Sequence, residues 1–318
     1  MSLNARQPDE ALFVPHGLPE QRVDLGEITM NYAVAGAPEQ PALLLVPPQT
    51  NSWWCYEHVM GPLSEHFQVF AVDLRGQGRS SRTPGRYTLD TMGNDLVRFI
   101  DLVVGRPVVA SGNSSGGVLT AWLAAYAKPG QVRGVVCEDP PLFASEVRPP
   151  VGPGIDQAVG PLFALMAKYL GDQWSIGDWD GMVAAVPDEL PGWIGRLAGG
   201  FGVAGGGPSQ SLKEYDPEWG RAFATGTFYA PGAHERMLAA VRVPVLFTHH
   251  FRAVDEGTGA LMGASADLQV ERVRQLVTGA GQPFDLVSLP ATPHSLHGHD
   301  PDLYAGTLLG WAETLPPA

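Results

Sequence analysis

The chain has 318 residues, 44% of them hydrophobic, and a formal net charge of −13. That length and apolar content supply a large core without disulfides, and the acidic balance excludes nucleic acid and anionic membrane as natural partners. Its two cysteines, Cys55 and Cys137, are too few and too far apart for a disulfide scaffold and read as reduced thiols.

The opening stretch MSLNARQPDEAL has no basic segment followed by an apolar run. No apolar stretch reaches the ~20 residues of a membrane span, so the expected location is cytoplasmic. Residues 21–36, QRVDLGEITMNYAVAG, read as two short strands joined by a turn at Gly26. The apolar run PALLLVPP (41–48) predicts a buried strand ended by prolines, and FQVFAVDLRG (67–76) predicts another. Leu89, Met92, Leu96, Phe99, Ile100 and Val103 recur at helical spacing across 88–103. PVVAS then reads as a strand and GGVLTAWLAAYAKPG as a helix stopped at Pro129-Gly130. RGVVCEDP (133–140), VPVLFTHH (243–250) and FDLVSLPAT (284–292) are further strands. DLQVERVRQLVTGAG and PDLYAGTLLGWAETL are the closing helices.

Strands alternating with helices predict a parallel sheet covered on both faces. Residues 140–242 break that rhythm. They hold an apolar helical stretch around Leu162, Met166 and Leu170, four tryptophans, and the Gly-rich piece AGGFGVAGGGPSQ. We read 1–139 and 243–318 as the core and 140–242 as an inserted helical cap with a mobile loop.

Gly112-Asn113-Ser114-Ser115-Gly116 fits G-x-S-x-G between a predicted strand and a predicted helix, the context in which a serine stands on a tight turn above a sheet. Ser114 is the expected nucleophile, and the backbone N–H of Ser115, the next residue, is expected to face the developing oxyanion. A phosphate-binding turn is the bland alternative, but the third glycine of G-x-G-x-x-G and the lysine of a P-loop are missing. With VFAVDLRGQGRS, this segment resembles the α/β-hydrolase superfamily. The fold that resemblance implies is an eight-stranded, mostly parallel sheet with a cap after the sixth strand.

A serine needs a base. LPATPHSLHGHDP offers His294, His297 and His299 after the last strand; His294 comes first and is the expected base. These histidines with Asp300 lack the H-E-x-x-H spacing of a zinc site, so no metal is expected. For the acid that orients the base, the residues leave a choice. Asp255 and Glu256 follow the seventh strand, the usual place in this fold, whereas Glu138 ends the apolar run GVVC after the sixth. Alternation allows only one of Glu138 and Asp139 to face the site, and Asp139 also reads as a turn residue before Pro140-Pro141. Pro47 and Pro48 have no N–H, so Gln49 is the first residue of its loop able to donate a second oxyanion bond.

GNSSGG, CEDPP, GDQWSIGDW, LKEYDPEWGRAF and PHSLH together resemble the bacterial zearalenone lactonases, which open the macrocyclic ester of a resorcylic acid lactone. That resemblance implies Ser114 as nucleophile, Glu138 as acid and His294 as base, with Gln49 and Ser115 as oxyanion amides and no cofactor. It also implies a small apolar lactone as ligand. Pro48, Pro140, Phe143, Met166, Trp193, Phe223 and His297 are the expected pocket residues. A general carboxylesterase, a carbon–carbon bond hydrolase and a slow small-molecule receptor remain as rivals, and a homodimer is the assembly left open. A dehalogenase or epoxide hydrolase needs a carboxylate where Ser114 stands.

Overall fold

The computed structural model describes residues 10–146, 148–154, 159–170, 177–190, 207–257 and 259–316. Its strands are β1 (Glu20–Asp24), β2 (Thr29–Ala35), β3 (Ala42–Val46), β4 (Gln68–Val72), β5 (Val108–Asn113), β6 (Val132–Glu138), β7 (Val245–His249), β8 (Arg252–Val254), β9 (Leu261–Gly263) and β10 (Phe284–Ser288). Eight of them form one sheet in the order β1-β2-β4-β3-β5-β6-β7-β10. β1 and β2 enter antiparallel, and every pair from β4 to β10 is parallel.

Why these runs become central strands is visible in β3, where all five residues are buried. Leu44 and Val46 join one hydrophobic cluster, whereas Leu43 and Leu45 join another. The period of two thus feeds a core on each face of the sheet. Each such leucine, fully withdrawn from water, contributes about 1.5–3 kcal/mol. Truncating one to alanine costs about 2–5 kcal/mol once the cavity is included.

The first cluster lies under α2 (Leu89–Phe99) and α3 (Ser115–Tyr126), and the second under α1 (Glu57–Ser64) and the terminal helix Pro301–Ala312. α2 begins at a capping box in which Thr88 and Thr91 satisfy each other's backbone amides. It runs on into a π-helical turn, Ile100–Val104, closed by Gly105 at φ 67°. α1 was not anticipated in the sequence, because Gly61-Pro62 inside it breaks the helical signal.

Between β6 and β7 the described residues carry only helices: α4 (Val159–Leu170), α5 (Trp179–Glu189), and the shorter Gln210–Lys213, Pro217–Ala224 and Ala233–Leu238. α4 packs closely against Pro217–Ala224, with Phe163 and Phe223 edge to face at 5.3 Å. The Gly-rich piece read as a mobile loop, apart from its last residues, lies outside the described residues, as does Trp193. Among the described residues no helix is long and apolar enough to cross a membrane.

Candidate active site

β5 ends at Asn113 and α3 begins at Ser115, so Ser114 alone makes the turn. Its backbone sits at φ 55°, ψ −121°, a region that costs a non-glycine residue about 1–3 kcal/mol. Close packing holds it there. A Cβ on Gly112 would stand 2.4 Å from the Gly116 backbone, and one on Gly116 would stand 2.2 Å from the Val46 carbonyl oxygen. Both glycines of the motif are therefore required by contact. The Ser114 amide donates to the Glu138 carbonyl at 2.8 Å, which ties the turn to β6. Ser114 is partly exposed between two buried runs, at the carboxyl end of the sheet.

His294 lies six residues beyond the end of β10, and its Nδ1 is 2.7 Å from Asp139 Oδ2. Next to a carboxylate, Nδ1 carries the proton, and Nε2 is left as the basic atom. The His294 side chain is 49% exposed, whereas that of Asp139 is 2% exposed. Burial by itself would raise the Asp139 carboxyl, but the His294 bond and the charges of His294 and His250 outweigh it and hold the pKa below its ordinary value. For His294 burial opposes protonation; the bond to Asp139, its charge and that of Glu138 prevail and raise the pKa.

The carboxylate on His294 is thus Asp139, which corrects the expectation of Glu138. Glu138 is fully buried and turns to the next histidine of the same loop: it accepts from the Leu296 amide at 2.7 Å, the His297 amide at 3.1 Å and His297 Nδ1 at 2.8 Å. The alternation argument fails for a local reason. β6 stops at Glu138, and Asp139 swings to φ 42°, so the two side chains no longer point to opposite faces. Both reach the 294–297 loop.

After β7 comes His250 rather than an acid. Its amide donates to Asp139 Oδ1 at 3.0 Å, its Nδ1 faces the Pro293 and His294 carbonyls at 3.0 and 3.2 Å, and its Nε2 meets Thr248 Oγ1 at 2.8 Å. Two carbonyls at Nδ1 require a proton there, so His250 holds the backbone of His294 from below. No sequence signal separated it from the preceding His249. Asp255 sits in the turn of the β8–β9 hairpin, where its amide donates to the Ala260 carbonyl.

Gln49 follows two prolines and donates its amide to Ser115 Oγ at 2.7 Å, which directs this N–H at the start of α3. The first amides of a helix have no intrahelical acceptor, and Ser115 is the first residue of α3. The Gln49 and Ser115 amides thus both lie at the start of α3, next to Ser114 in the chain. The next residue, Thr50, has φ 70°, an outlier for a β-branched side chain.

Six of the seven residues expected to line a pocket fall within the described residues. Phe143, Met166 and Phe223 belong to one buried cluster. Pro140 receives the Ser265 hydroxyl on its carbonyl, and Pro48 receives the Gln77 side-chain amide on its own. His297 is 2% exposed, bonded to Glu138 and set 4.3 Å from the Tyr56 ring. Among the described residues no group of three or more His, Cys, Asp or Glu side chains is placed to hold a metal ion.

A serine standing where β5 hands over to α3 narrows the class to the α/β hydrolases. A family model described as alpha/beta hydrolase fold matches residues 11–172, just over half of the chain, and the chain belongs to that family. Over 100 residues it is 27% identical to 3-oxoadipate enol-lactonase 2 of Acinetobacter baylyi, a match covering 31% of this chain and 38% of the relative. Over 119 residues it is 31% identical to 2-(acetamidomethylene)succinate hydrolase of Mesorhizobium japonicum, covering 37% and 42%. The chain thus matches less than half the length of either curated relative. The crystal structure of E-2-(acetamidomethylene)succinate hydrolase shares the fold with a TM-score of 0.65, at 21% identity over 93% of this chain and 100% of that one.

Proposed function

We propose that this α/β hydrolase is a serine esterase of the lactone-opening kind, with Ser114 as nucleophile, His294 as base and Asp139 as the orienting acid. The observation that carries the reading is the strained serine turn together with the 2.7 Å bond from His294 Nδ1 to a buried carboxylate. His294 Nε2 takes the Ser114 proton as Oγ attacks the ester carbonyl. The Gln49 and Ser115 amides receive the oxyanion, each worth about 3 kcal/mol; Gln49 exchanges its bond to Ser115 Oγ for one to the substrate. The protonated His294 then gives its proton to the leaving alkoxide. In a lactone that alcohol stays attached to the acyl group. Water, activated by the same imidazole, releases the hydroxy acid.

Residues 140–242 serve in this reading as the cap, and their buried apolar cluster around Phe143, Met166 and Phe223 favours an apolar acyl group. Together with the motifs quoted above, this points to a resorcylic acid macrolactone such as zearalenone as the substrate class. The test is turnover of zearalenone, an aryl ester panel and homoserine lactones by the wild type and Ser114→Ala. Multiple turnovers of the macrolactone that vanish in Ser114→Ala are expected. Hydrolysis confined to aryl esters would overturn the macrolactone assignment and leave a general esterase. A single stoichiometric burst would replace the enzyme by a receptor.

A further inference from the structure

We infer that two cap residues, Glu214 and Tyr215, are positioning residues for the oxyanion amide of Gln49, so that the oxyanion site is complete only while this cap segment is seated. The inference rests on the serine-hydrolase reading above.

The loop from Pro47 to Trp54 is held from two sides. On the core side Gln77 Nε2 donates to the Pro48 carbonyl at 2.8 Å and the Trp53 amide donates to Asp73 Oδ1 at 2.7 Å. On the cap side Gln49 Nε2 donates to the Tyr215 hydroxyl at 2.6 Å. Ser52 Oγ and Trp54 Nε1 both donate to Glu214 Oε2, at 2.8 and 2.9 Å. Gln49 and Tyr215 are separated by 166 positions in the chain, so this bond exists only through the tertiary fold.

Glu214 and Tyr215 are each 2% exposed. A buried carboxylate is tolerated only where donors replace its hydration, and two of those here come from the loop. Thr50, between Gln49 and Ser52, is strained at φ 70°. A strained residue persists where its surroundings over-determine it, and Glu214 and Tyr215 supply bonds to the loop on both sides of Thr50, at Gln49, Ser52 and Trp54. Releasing Tyr215 and Glu214 frees the loop to relax, and the Gln49 amide swings with it. The seat is itself anchored to the core: the Asp216 amide donates to the Gly76 carbonyl at 2.8 Å, and Tyr87 donates to the Asp216 carboxylate. The cap therefore acts on the transition state as well as on binding.

Tyr215→Phe removes one hydroxyl, and Gln49→Leu cuts the same bond from the loop while keeping the backbone N–H. Losing an oxyanion donor outright lowers kcat by about 10²–10³, so a displaced one should lower it by about 10- to 100-fold. The expected result, on p-nitrophenyl acetate, is that drop in kcat in each variant with KM within about twofold. Affinity for an aryl trifluoromethyl ketone, which forms a tetrahedral oxyanion adduct, should fall in parallel, and the double variant should be no worse than the poorer single one. Folded single variants with wild-type kcat, or losses that multiply in the double variant, overturn the inference while leaving the hydrolase reading intact. No turnover by the wild type overturns both. Should Tyr215→Phe fail to fold, Gln49→Leu decides alone, because an unchanged kcat there excludes the positioning role.

Discussion

Two histidine–carboxylate pairs stand side by side at the carboxyl end of the sheet, formed by consecutive acids and by histidines three residues apart. Glu138 and His297 are 0% and 2% exposed, whereas His294 in the pair with Asp139 is 49% exposed. The same two functional groups thus serve opposite ends. A sealed pair cannot meet a substrate, and its bonds to the Leu296 and His297 amides make it a bolt for the loop. The open pair uses that loop as a mount and leaves Nε2 available. Exposure of the imidazole, rather than the identity of the acid, separates the two roles.

The comparison is broken most severely by Asp139→Asn. Without the carboxylate the His294 tautomer is lost, and kcat should fall by about 10⁴ with ligand affinity retained. The wild-type profile sharpens the same point. His294 works neutral and its pKa is raised, so kcat/KM should climb with pH through a midpoint above the ordinary histidine value of about 6.5. A midpoint below that value would mean that Asp139 does not hold the imidazole. Residual activity in Asp139→Asn should show the midpoint displaced downward.

Glu138→Gln comes next and should act mainly on stability. A neutral amide cannot accept from both the backbone amides and His297 Nδ1 as well as a carboxylate does, and a buried donor left unmatched costs about 1–3 kcal/mol. Chemical denaturation should register that loss, and kcat of the folded fraction should fall by only about 10-fold as the His294 mount loosens. If Glu138→Gln were the crippled variant and Asp139→Asn near wild type, the two roles would be exchanged.

The smallest effects are expected at Ser115 and Asp255. Ser115→Ala keeps its backbone N–H and loses only the hydroxyl that receives the Gln49 amide, so kcat should change by roughly threefold or less, well under the loss of an oxyanion donor. Asp255→Asn, in a hairpin turn, should stay within about twofold, as is usual for substitutions outside the site. A large loss at Asp255 would return the acid to the position after β7.

The strands and the serine turn were legible because each is written locally. An apolar run of β3's length has few other destinations, and G-x-S-x-G encodes contacts between neighbours in the chain. The acid was not legible: whether Glu138 or Asp139 meets His294 depends on a single dihedral, at the residue where strand alternation stops. His250 and Tyr215 were missed for a related reason. Their partners, Asp139 and Gln49, lie 111 and 166 positions away, and no spacing rule reaches that far. The β8–β9 hairpin has three residues in each strand, too few to display a period.

Asn113 carries a last consequence. It pairs with Glu138 in the β5–β6 register, and its side-chain amide donates to the Glu138 and His294 carbonyls at 3.2 and 2.9 Å. One residue before the serine thus ties the backbone of the residue before Asp139 to that of His294, and among the described residues none of its side-chain partners lies between positions 140 and 242. In the proposed reaction, the proton-transfer half is built wholly within the core, whereas the oxyanion half borrows from the cap. The two halves should therefore fail separately. With Glu214 and Tyr215 unseated, the serine should still be acylated by a reactive probe, while an ordinary ester, which needs the full grip on the oxyanion, is turned over slowly.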